Sequence, residues 1–390
     1  MRRPSPGLAH GRLPYWELSG FYFFYFAFVG VISPYWGLYL KSLAFTAFQI
    51  GVLMSLLSVM RMFAPNVWGH LADRAGKRVF IVQVAAFASL VAFAGVFLGT
   101  GFWLLFASMA LLSFFWSASL PLVEATTLSH LGERTDRYGS IRVWGSVGFI
   151  LAVVGVGMLL DHIAIHWLPA IVFATLLGVA LFSRHIPEAE VMQHAHGHDS
   201  VWQVLRQPRV MALIAACFLM SAAHGPYYTF YSIYLESHGY SKSGIGWLWA
   251  LGVICEIGVF LWSARLFARF PLETVLKASF GFAVVRFLII AWGVGEPLLI
   301  LFAQTLHAAT FGAYHASAIA LVHRFFPGRL QARGQALYNS ISFGAGGTLG
   351  SLYAGYSWDL WGAAVTYSLA AGCALLALVL LLWQLKPAPA

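Results

Sequence analysis

The chain has 390 residues, of which 60% are hydrophobic and only 9% charged. A soluble domain carries about a quarter charged residues, so too few charges remain here to solvate a water-facing surface. The net charge of +9 does not indicate nucleic-acid binding, because the basic residues lie in short hydrophilic gaps between apolar stretches. Those stretches are continuous rather than alternating, which favours membrane-spanning helices and argues against an outer-membrane barrel.

A helix needs about 20 mostly apolar residues to cross the hydrocarbon core of a bilayer. The first long apolar stretch has no cleavage site and is too long for a signal peptide, so we predict a retained first helix. The sequence predicts an all-α membrane protein with twelve transmembrane spans, numbered 1 to 12, at residues 15–40, 46–68, 79–99, 102–128, 137–160, 164–183, 210–235, 243–264, 274–294, 297–322, 333–356 and 362–384.

The distribution of basic residues predicts the orientation of the spans. If the N-terminus is inside, the inner loops and tails hold 18 of the 23 lysines and arginines, and the outer loops hold two, Lys41 and Lys242. The remaining three fall within spans. By the positive-inside rule, we predict that both termini are cytoplasmic.

The two halves of the chain resemble each other. Residues 30–74 align with residues 225–269 without a gap, and Ile50-Gly51 falls on Ile245-Gly246. This repeat predicts two pseudo-symmetric six-helix bundles at 1–183 and 210–390, with the substrate held between them. A cytoplasmic linker at 184–209 joins them. Its histidines, His194, His196 and His198, lack the further ligands of a metal site, so we predict a solvated linker without metal.

Five charged residues lie deep within the predicted spans, away from the span ends, and each costs at least about 2.5–3.5 kcal/mol at the bilayer centre. Glu124 and Arg142 are equally distant from the loop between spans 4 and 5, and Glu256 and Arg286 from the loop between spans 8 and 9. Because the two residues of each set lie at equal depth, they can form an ion pair. Two hypotheses remain open: fixed ion pairs, or a network that exchanges partners with substrate and proton. With Arg61 the arginines outnumber the glutamates, which suits an anionic ligand.

Histidines at membrane depth add titratable groups. His224 lies in span 7, and His307 and His315 lie in span 10. A single histidine in a helix is usually a hydrogen-bonded core residue. Because several occur here beside buried carboxylates, and because the imidazole titrates near neutral pH, they are also candidates for proton relay.

The loop after span 2 carries a short motif of glycines, one aspartate and cations. It resembles the Gly-x-x-x-Asp-Arg-x-Gly-Arg/Lys-Arg/Lys loop that the major facilitator superfamily has at this place. The resemblance implies the twelve-helix major facilitator fold and a loop that takes part in conformational change. The matching residues are Gly69, Asp73, Arg74, Gly76, Lys77 and Arg78.

A narrower resemblance covers most of the chain. The segments 121–125 and 138–148 are similar to the lactose permease group, in which a glutamate and an arginine at this separation bind the sugar; the 3-phenylpropionate permease family is more similar still. Glu256, Arg286 and His307 match the coupling residues of the lactose permease. Thr310 and Gln304 depart from it, since they replace a glutamate and a lysine. The phenylpropionate family, in which a threonine at this place looks usual, is therefore favoured.

The resemblance implies a proton-linked importer in the cell inner membrane, driven by the proton gradient without a cofactor. We predict that it acts as a monomer, that it is not an enzyme, and that its substrate is an aromatic or other monocarboxylate. Alternatives are a sugar or nucleoside symporter, a drug efflux antiporter, and a membrane enzyme or sensor, for which no nucleophile or metal motif is present. The predicted substrate-binding residues are Arg142, Glu124, Arg286, Arg61 and His224, and the predicted proton-coupling residues are Glu256 and His307.

Overall fold

The computed structural model describes residues 13–189 and 200–385, and within these ranges the chain is helical and forms no strand. His194, His196 and His198 lie outside the described residues. The main helices of the first half are Tyr15–Ser42, Ala47–Arg61, Ala64–Ala75, Arg78–Ala94, Phe102–Leu131, Tyr138–Leu160 and Leu168–Ser183. After a short helix at Val201–Leu205, those of the second half are Pro208–Ala223, Gly225–Ser237, Lys242–Arg269, Leu272–Gly293, Pro297–Thr305, Tyr314–Phe325, Gln331–Asn339 and Gly347–Gln384.

These helices form twelve spans, which confirms the predicted fold class. Ten described helical stretches are long and apolar enough to cross a membrane. One of them, Gly328–Gln384, has 57 residues and contains spans 11 and 12, which separate at Gly362, where φ is +79°. Span 10 is not among these stretches, and its helix is interrupted. The positive φ at Gly362 explains why a glycine stands between the last two spans.

Span 2 differs from its predicted form as one helix over 46–68. It consists of two helices, Ala47–Arg61 and Ala64–Ala75, and extends seven residues further along the chain than predicted. Pro65 lies in the first turn of the second helix, where its missing N–H is tolerated. The Met62 carbonyl at the break accepts a hydrogen bond of 2.7 Å from the Ser340 hydroxyl of the other half. Arg61 is therefore the last residue of a helix rather than a mid-helix residue.

Spans 7 and 10 are also interrupted near their centres. In span 7 the break lies at His224, and Pro226 occupies the first turn of the following helix. In span 10 a π-helical segment, Ala308–Ala313, separates two α-helices. π-helical turns are frequent at functional sites. They take backbone groups out of the regular α-helical hydrogen-bond pattern. Both breaks lie beside the candidate site described below.

The two halves pack against each other through equivalent pairs of spans. Span 2 contacts span 11, and span 5 contacts span 8. A Cβ atom added at Gly51 would lie 2.6 Å from the Ser351 backbone oxygen, and one added at Gly246 would lie 2.5 Å from that of Val153. Only glycine permits these close approaches. The two glycines that align in the sequence repeat therefore perform the same packing role in both halves.

Two aspartates cap helices of the opposite half at the end of the bundle away from the termini, which we call the bridged end. Asp161, after span 5, accepts hydrogen bonds from the amides of Lys242 and Ser243 in span 8, at 2.9 and 3.2 Å. Asp359, at the end of span 11, accepts from the first two amides of span 2, at 3.2 and 3.0 Å. A carboxylate at a helix N-terminus is favourable because it satisfies free N–H groups and faces the positive end of the helix dipole.

An ion-pair cluster completes the bridged end. Lys41 and Glu236, which occupy aligned positions in the two halves, form an ion pair of 3.3 Å across the interface. Lys242 contacts the same carboxylate at 3.4 Å. These side chains are partly exposed, so each ion pair contributes little by itself. Together with the aspartate caps, they hold the halves together at this end.

Removing the aspartate caps is expected to loosen the bridged end. In Asp161→Ala and Asp359→Ala, hydrogen exchange of the capped amides should accelerate about 10- to 100-fold, because a hydrogen bond to a charged group contributes about 1.5–3 kcal/mol. Hydrogen-exchange mass spectrometry of the first turns of spans 2 and 8 measures this. Asp136→Ala, at the opposite end, is the control. Unchanged exchange in the double variant would show that the caps do not hold the halves together.

The Asp161 cap should also depend on pH. Slight burial tends to raise the pKa of its carboxyl group, but the hydrogen bonds from Ser243 and Lys242 and the charge of Lys242 outweigh this and hold the pKa below its usual range. The cap is therefore fully present at neutral pH and is lost only as the pH falls through this lowered pKa.

Candidate functional site

A cavity of about 320 Å³ lies between the two halves. Thirteen of its lining residues come from the first half and eleven from the second, so neither half forms the cavity alone. Its volume lies at the small end of the range for small-molecule sites, about 300–1,000 Å³. The lining is mostly apolar and aromatic, with a few hydroxyl groups. Among the predicted site residues, Arg61 and His224 line it.

Arg286, the predicted intramembrane arginine of the second half, is fully buried and is held by neutral partners. Its guanidinium donates to the Ala303 carbonyl at 3.1 Å, to Gln304 Oε1 at 3.0 Å and to Thr310 Oγ1 at 3.2 Å. It also lies over the ring of Tyr227, 4.2 Å from the centroid. The pairing of Arg286 with Glu256 that their equal depth permits does not occur among the described residues, because groups of span 10 occupy the donors of the guanidinium.

Gln304 is the residue of this network whose role the sequence did not indicate. Its side-chain amide donates to the Leu248 carbonyl at 3.0 Å and to the Tyr227 hydroxyl at 3.2 Å, while its oxygen accepts from Arg286. The network therefore joins spans 7, 8, 9 and 10. In the sequence, Gln304 is a polar residue in an apolar span, where an unpaired amide would be costly. That cost indicates that the amide of Gln304 has a buried hydrogen-bond partner.

His224 is held as a neutral imidazole by its two neighbours. Its Nδ1 lies 2.9 Å from the Met220 carbonyl, which can only accept, so Nδ1 carries the proton. Its Nε2 lies 3.5 Å from Nη1 of Arg286, which can only donate. A protonated ring would place a positive charge against the arginine. His224 thus presents a neutral ring to the cavity.

Glu256 and His307 form the carboxylate–imidazole pair of the second half. Glu256 Oε2 lies 3.8 Å from His307 Nε2, within ion-pair range if the histidine is protonated. Both side chains are largely buried, and His307 Nδ1 has no hydrogen-bond partner among the described residues. The charge of Arg142, across the interface in span 5, acts on Glu256. The structure thus brings Glu256 together with His307, within reach of the charge of Arg142.

In the first half, Arg142 lies against aromatic rings rather than in an ion pair. Its guanidinium is 4.0 Å from the centroid of Phe26 and 5.6 Å from that of Tyr22. Glu124 accepts a long hydrogen bond of 3.4 Å from the Tyr138 hydroxyl and experiences the charge of Arg142. No ion pair of Glu124 forms within 4 Å among the described residues. The charge of Arg142 therefore acts on both carboxyl groups, those of Glu124 and Glu256.

The glycine- and cation-containing motif after span 2 begins inside a helix. Gly69, Asp73 and Arg74 belong to Ala64–Ala75, and Gly76 ends that helix with φ of +61°, where glycine is favoured. Arg78 donates to the Ser129 hydroxyl at 3.4 Å, and Lys77 immediately precedes span 3. The Asp73 side chain forms no hydrogen bond or ion pair within the described part of the chain. Its role in conformational change stays a prediction.

Comparisons with known proteins agree with this architecture. The chain is 27% identical over 362 residues to the probable 3-phenylpropionic acid transporter of Escherichia coli (strain K12), covering 91% of this chain and 94% of that protein. It is 28% identical over 370 residues to the maltose permease of Geobacillus stearothermophilus, covering 94% and 93%.

Solved structures show the same fold. A variant of the nucleoside transporter NupG superposes with a TM-score of 0.85 at 18% identity, covering 95% of this chain and 99% of that one. A bacterial homologue of the human lysosomal transporter Spinster, in an inward-facing and unoccupied conformation, gives a TM-score of 0.67 at 17% identity, covering 95% and 96%. The model of the MFS_1 like family matches residues 15–369. The chain therefore belongs to the MFS_1-like family of major facilitator superfamily transporters.

Proposed function

We propose that this transporter is a proton-coupled symporter that imports an aromatic or other small monocarboxylate. The observation that carries proton coupling is the Glu256–His307 pair, a buried carboxylate 3.8 Å from an imidazole in a chain that is otherwise mostly apolar. Intramembrane ionisable pairs of this kind mark proton pathways in transporters. The proton gradient supplies the energy, and no cofactor is needed.

The cavity supports an aromatic substrate. Tyr25, Trp36, Tyr228 and Phe311 are among its lining side chains, and flat apolar rings bind well against such walls. A related protein, the probable 3-phenylpropionic acid transporter, has a substrate of this class in its name. Sugars and nucleosides are the alternative, since the maltose permease and NupG are also similar to this chain.

Uptake into proteoliposomes under an imposed pH gradient tests the proposal. Labelled 3-phenylpropionate should accumulate when the inside is alkaline, and the accumulation should collapse with a protonophore. Accumulation of maltose or a nucleoside instead would support the alternative substrate class. Gradient-independent equilibration of every solute would refute proton coupling.

We further propose that both termini are cytoplasmic, in a cell inner membrane, and that the bridged end faces outward. The support is the excess of basic residues on one side, 18 against two. A reporter fused after Ala390 is expected to be active only in its cytoplasmic form. An externally active fusion would contradict this orientation.

A further inference from the structure

The three intramembrane arginines differ in what surrounds them. Arg286 is enclosed in a hydrogen-bonded network, and Arg142 lies on aromatic rings, with its charge acting on Glu124 and Glu256. Arg61 has neither arrangement: among the described residues, no carboxylate lies within ion-pair distance of it and no hydrogen bond to its guanidinium forms. Its side chain lines the cavity, where its charge acts on Tyr25 and Tyr228 from opposite halves.

The break in span 2 places Arg61 at this position. Because the first helix of the span ends there, the arginine lies at a helix C-terminus, where a cation is favourable. Fourteen residues of helix separate it from Ala47 at the bridged end, a rise of about 21 Å in a hydrocarbon core about 30 Å thick. Its side chain is exposed rather than buried in the protein. An unpaired charge at such depth costs several kcal/mol unless water or a ligand satisfies it.

The cavity around Arg61 offers one positive charge and little else that is charged. Among the described lining residues, Arg61 is the only arginine, lysine, aspartate or glutamate. Phe26, Trp36, Tyr228 and Phe311 form much of the wall, and Met54 lies beside them. A single cation in an aromatic cavity suits a ligand with one negative charge and one ring. A dicarboxylate would leave a second charge unpaired, which is unfavourable in an apolar site.

We propose that Arg61 is the anchor for the substrate carboxylate, and that the cavity binds aromatic monocarboxylates with the ring between the aromatic walls of the two halves. This inference rests on the proposed function and names its binding residue. It assigns the anion to Arg61 rather than to Arg286, whose donors are occupied, or to Arg142, whose guanidinium lies on aromatic rings. Neither of these two arginines lines the cavity. A guanidinium can hold a carboxylate with two parallel hydrogen bonds, which gives orientation as well as affinity.

The test compares Arg61→Gln and Arg61→Lys with the wild type, using labelled 3-phenylpropionate and its neutral analogue 3-phenylpropionamide. In Arg61→Gln, the KM for the acid should rise about 10- to 100-fold, the loss expected for a charge-assisted hydrogen bond. Inhibition by the amide should change less than about threefold, since the amide does not need the cation. Arg61→Lys should give an intermediate KM, because lysine keeps the positive charge but cannot form the two parallel hydrogen bonds of a guanidinium.

Arg209→Gln, at the start of span 7 and outside the cavity, is the matched control and should leave the KM unchanged. An unchanged KM in Arg61→Gln, with gradient-driven uptake of the acid intact, would overturn the anchor while leaving the proposed function in place. Uptake of neutral solutes alone by the wild type would overturn both the anchor and the proposed substrate class. The rise in Tm of each purified variant on addition of the acid measures binding by the folded protein. It therefore distinguishes a loss of binding from a loss of folded protein.

Discussion

Replacing Glu256 with glutamine is expected to abolish accumulation of substrate against a gradient while still permitting exchange between preloaded vesicles. The glutamine keeps the size and hydrogen-bonding capacity of the side chain but cannot exchange a proton. If Glu256 carries the coupled proton, the variant is fixed in the state that resembles the protonated carboxyl. The substrate-loaded transporter can then reorient, but transport is no longer linked to the proton gradient.

The structure changes the physical reason for this expectation. The sequence permits Arg286 to pair with Glu256, but in the structure Arg286 is bound within its own network. The groups that face Glu256 are His307 at 3.8 Å and the charge of Arg142 from the other half. Relative movement of the halves would therefore change the field at Glu256. This geometry links proton binding to the conformational change through an interaction that crosses the interface.

The measurement is uptake and exchange of labelled 3-phenylpropionate in proteoliposomes containing equal amounts of folded protein. Accumulation should fall to the equilibrium level in Glu256→Gln, and exchange should remain within about threefold of the wild type, since the substrate-loaded step is kept. Glu133→Gln, in the exposed loop between spans 4 and 5, is the control. Normal accumulation in Glu256→Gln would move the proton site to His307 or Glu124.

Much of the fold could be predicted because its causes lie in the sequence itself. The length and composition of the apolar stretches specify the spans, and the repeat that aligns Gly51 with Gly246 reflects equivalent close approaches of backbones. The break in span 2 was missed because an apolar stretch gives the same hydropathy whether its helix is continuous or broken. Pro65 was the available signal, but a proline in a membrane helix can also be accommodated without a break.

The candidate site was predicted less completely, because equal depth does not determine the direction in which a side chain points. Glu256 and Arg286 are close enough in depth to pair, yet the π-helical segment of span 10 turns Thr310 toward Arg286 and leaves Glu256 with His307. The rotation of a helix about its axis is set by packing among several spans. It therefore cannot be predicted from the sequence pattern of one span. The effect of the Arg142 charge on Glu256 depends on how the two bundles meet, which the sequence repeat alone does not specify.

Replacing Arg286 with methionine is expected to destabilise the second half rather than to weaken substrate binding specifically. Methionine is long enough to occupy much of the site, but it leaves Gln304 Oε1, Thr310 Oγ1 and the Ala303 carbonyl without their donor. Buried polar groups left unpaired cost about 1–3 kcal/mol each. Breaking a buried charged network costs about 3–5 kcal/mol, which lowers the Tm of a domain of this size by about 10 °C.

The measurement is thermal unfolding of the purified protein in detergent, together with the KM for 3-phenylpropionate of the fraction that remains folded. Arg286→Met should lower the Tm strongly and change the KM less than about threefold, because the side chain does not line the cavity. A large rise in KM with a normal Tm would instead assign Arg286 to substrate binding, as the sequence predicts.

Gln304→Met provides the decisive comparison, because it removes the other end of the same interaction. Alone, it should destabilise the protein by leaving the Arg286 Nη2 donor and the Leu248 carbonyl without their partner. In the double variant, no guanidinium remains to be satisfied, so the total loss of stability should be smaller than the sum of the two single losses by at least about 1 kcal/mol. Additive losses would show that the two residues act independently, and the network would then not be the unit that joins spans 7 to 10.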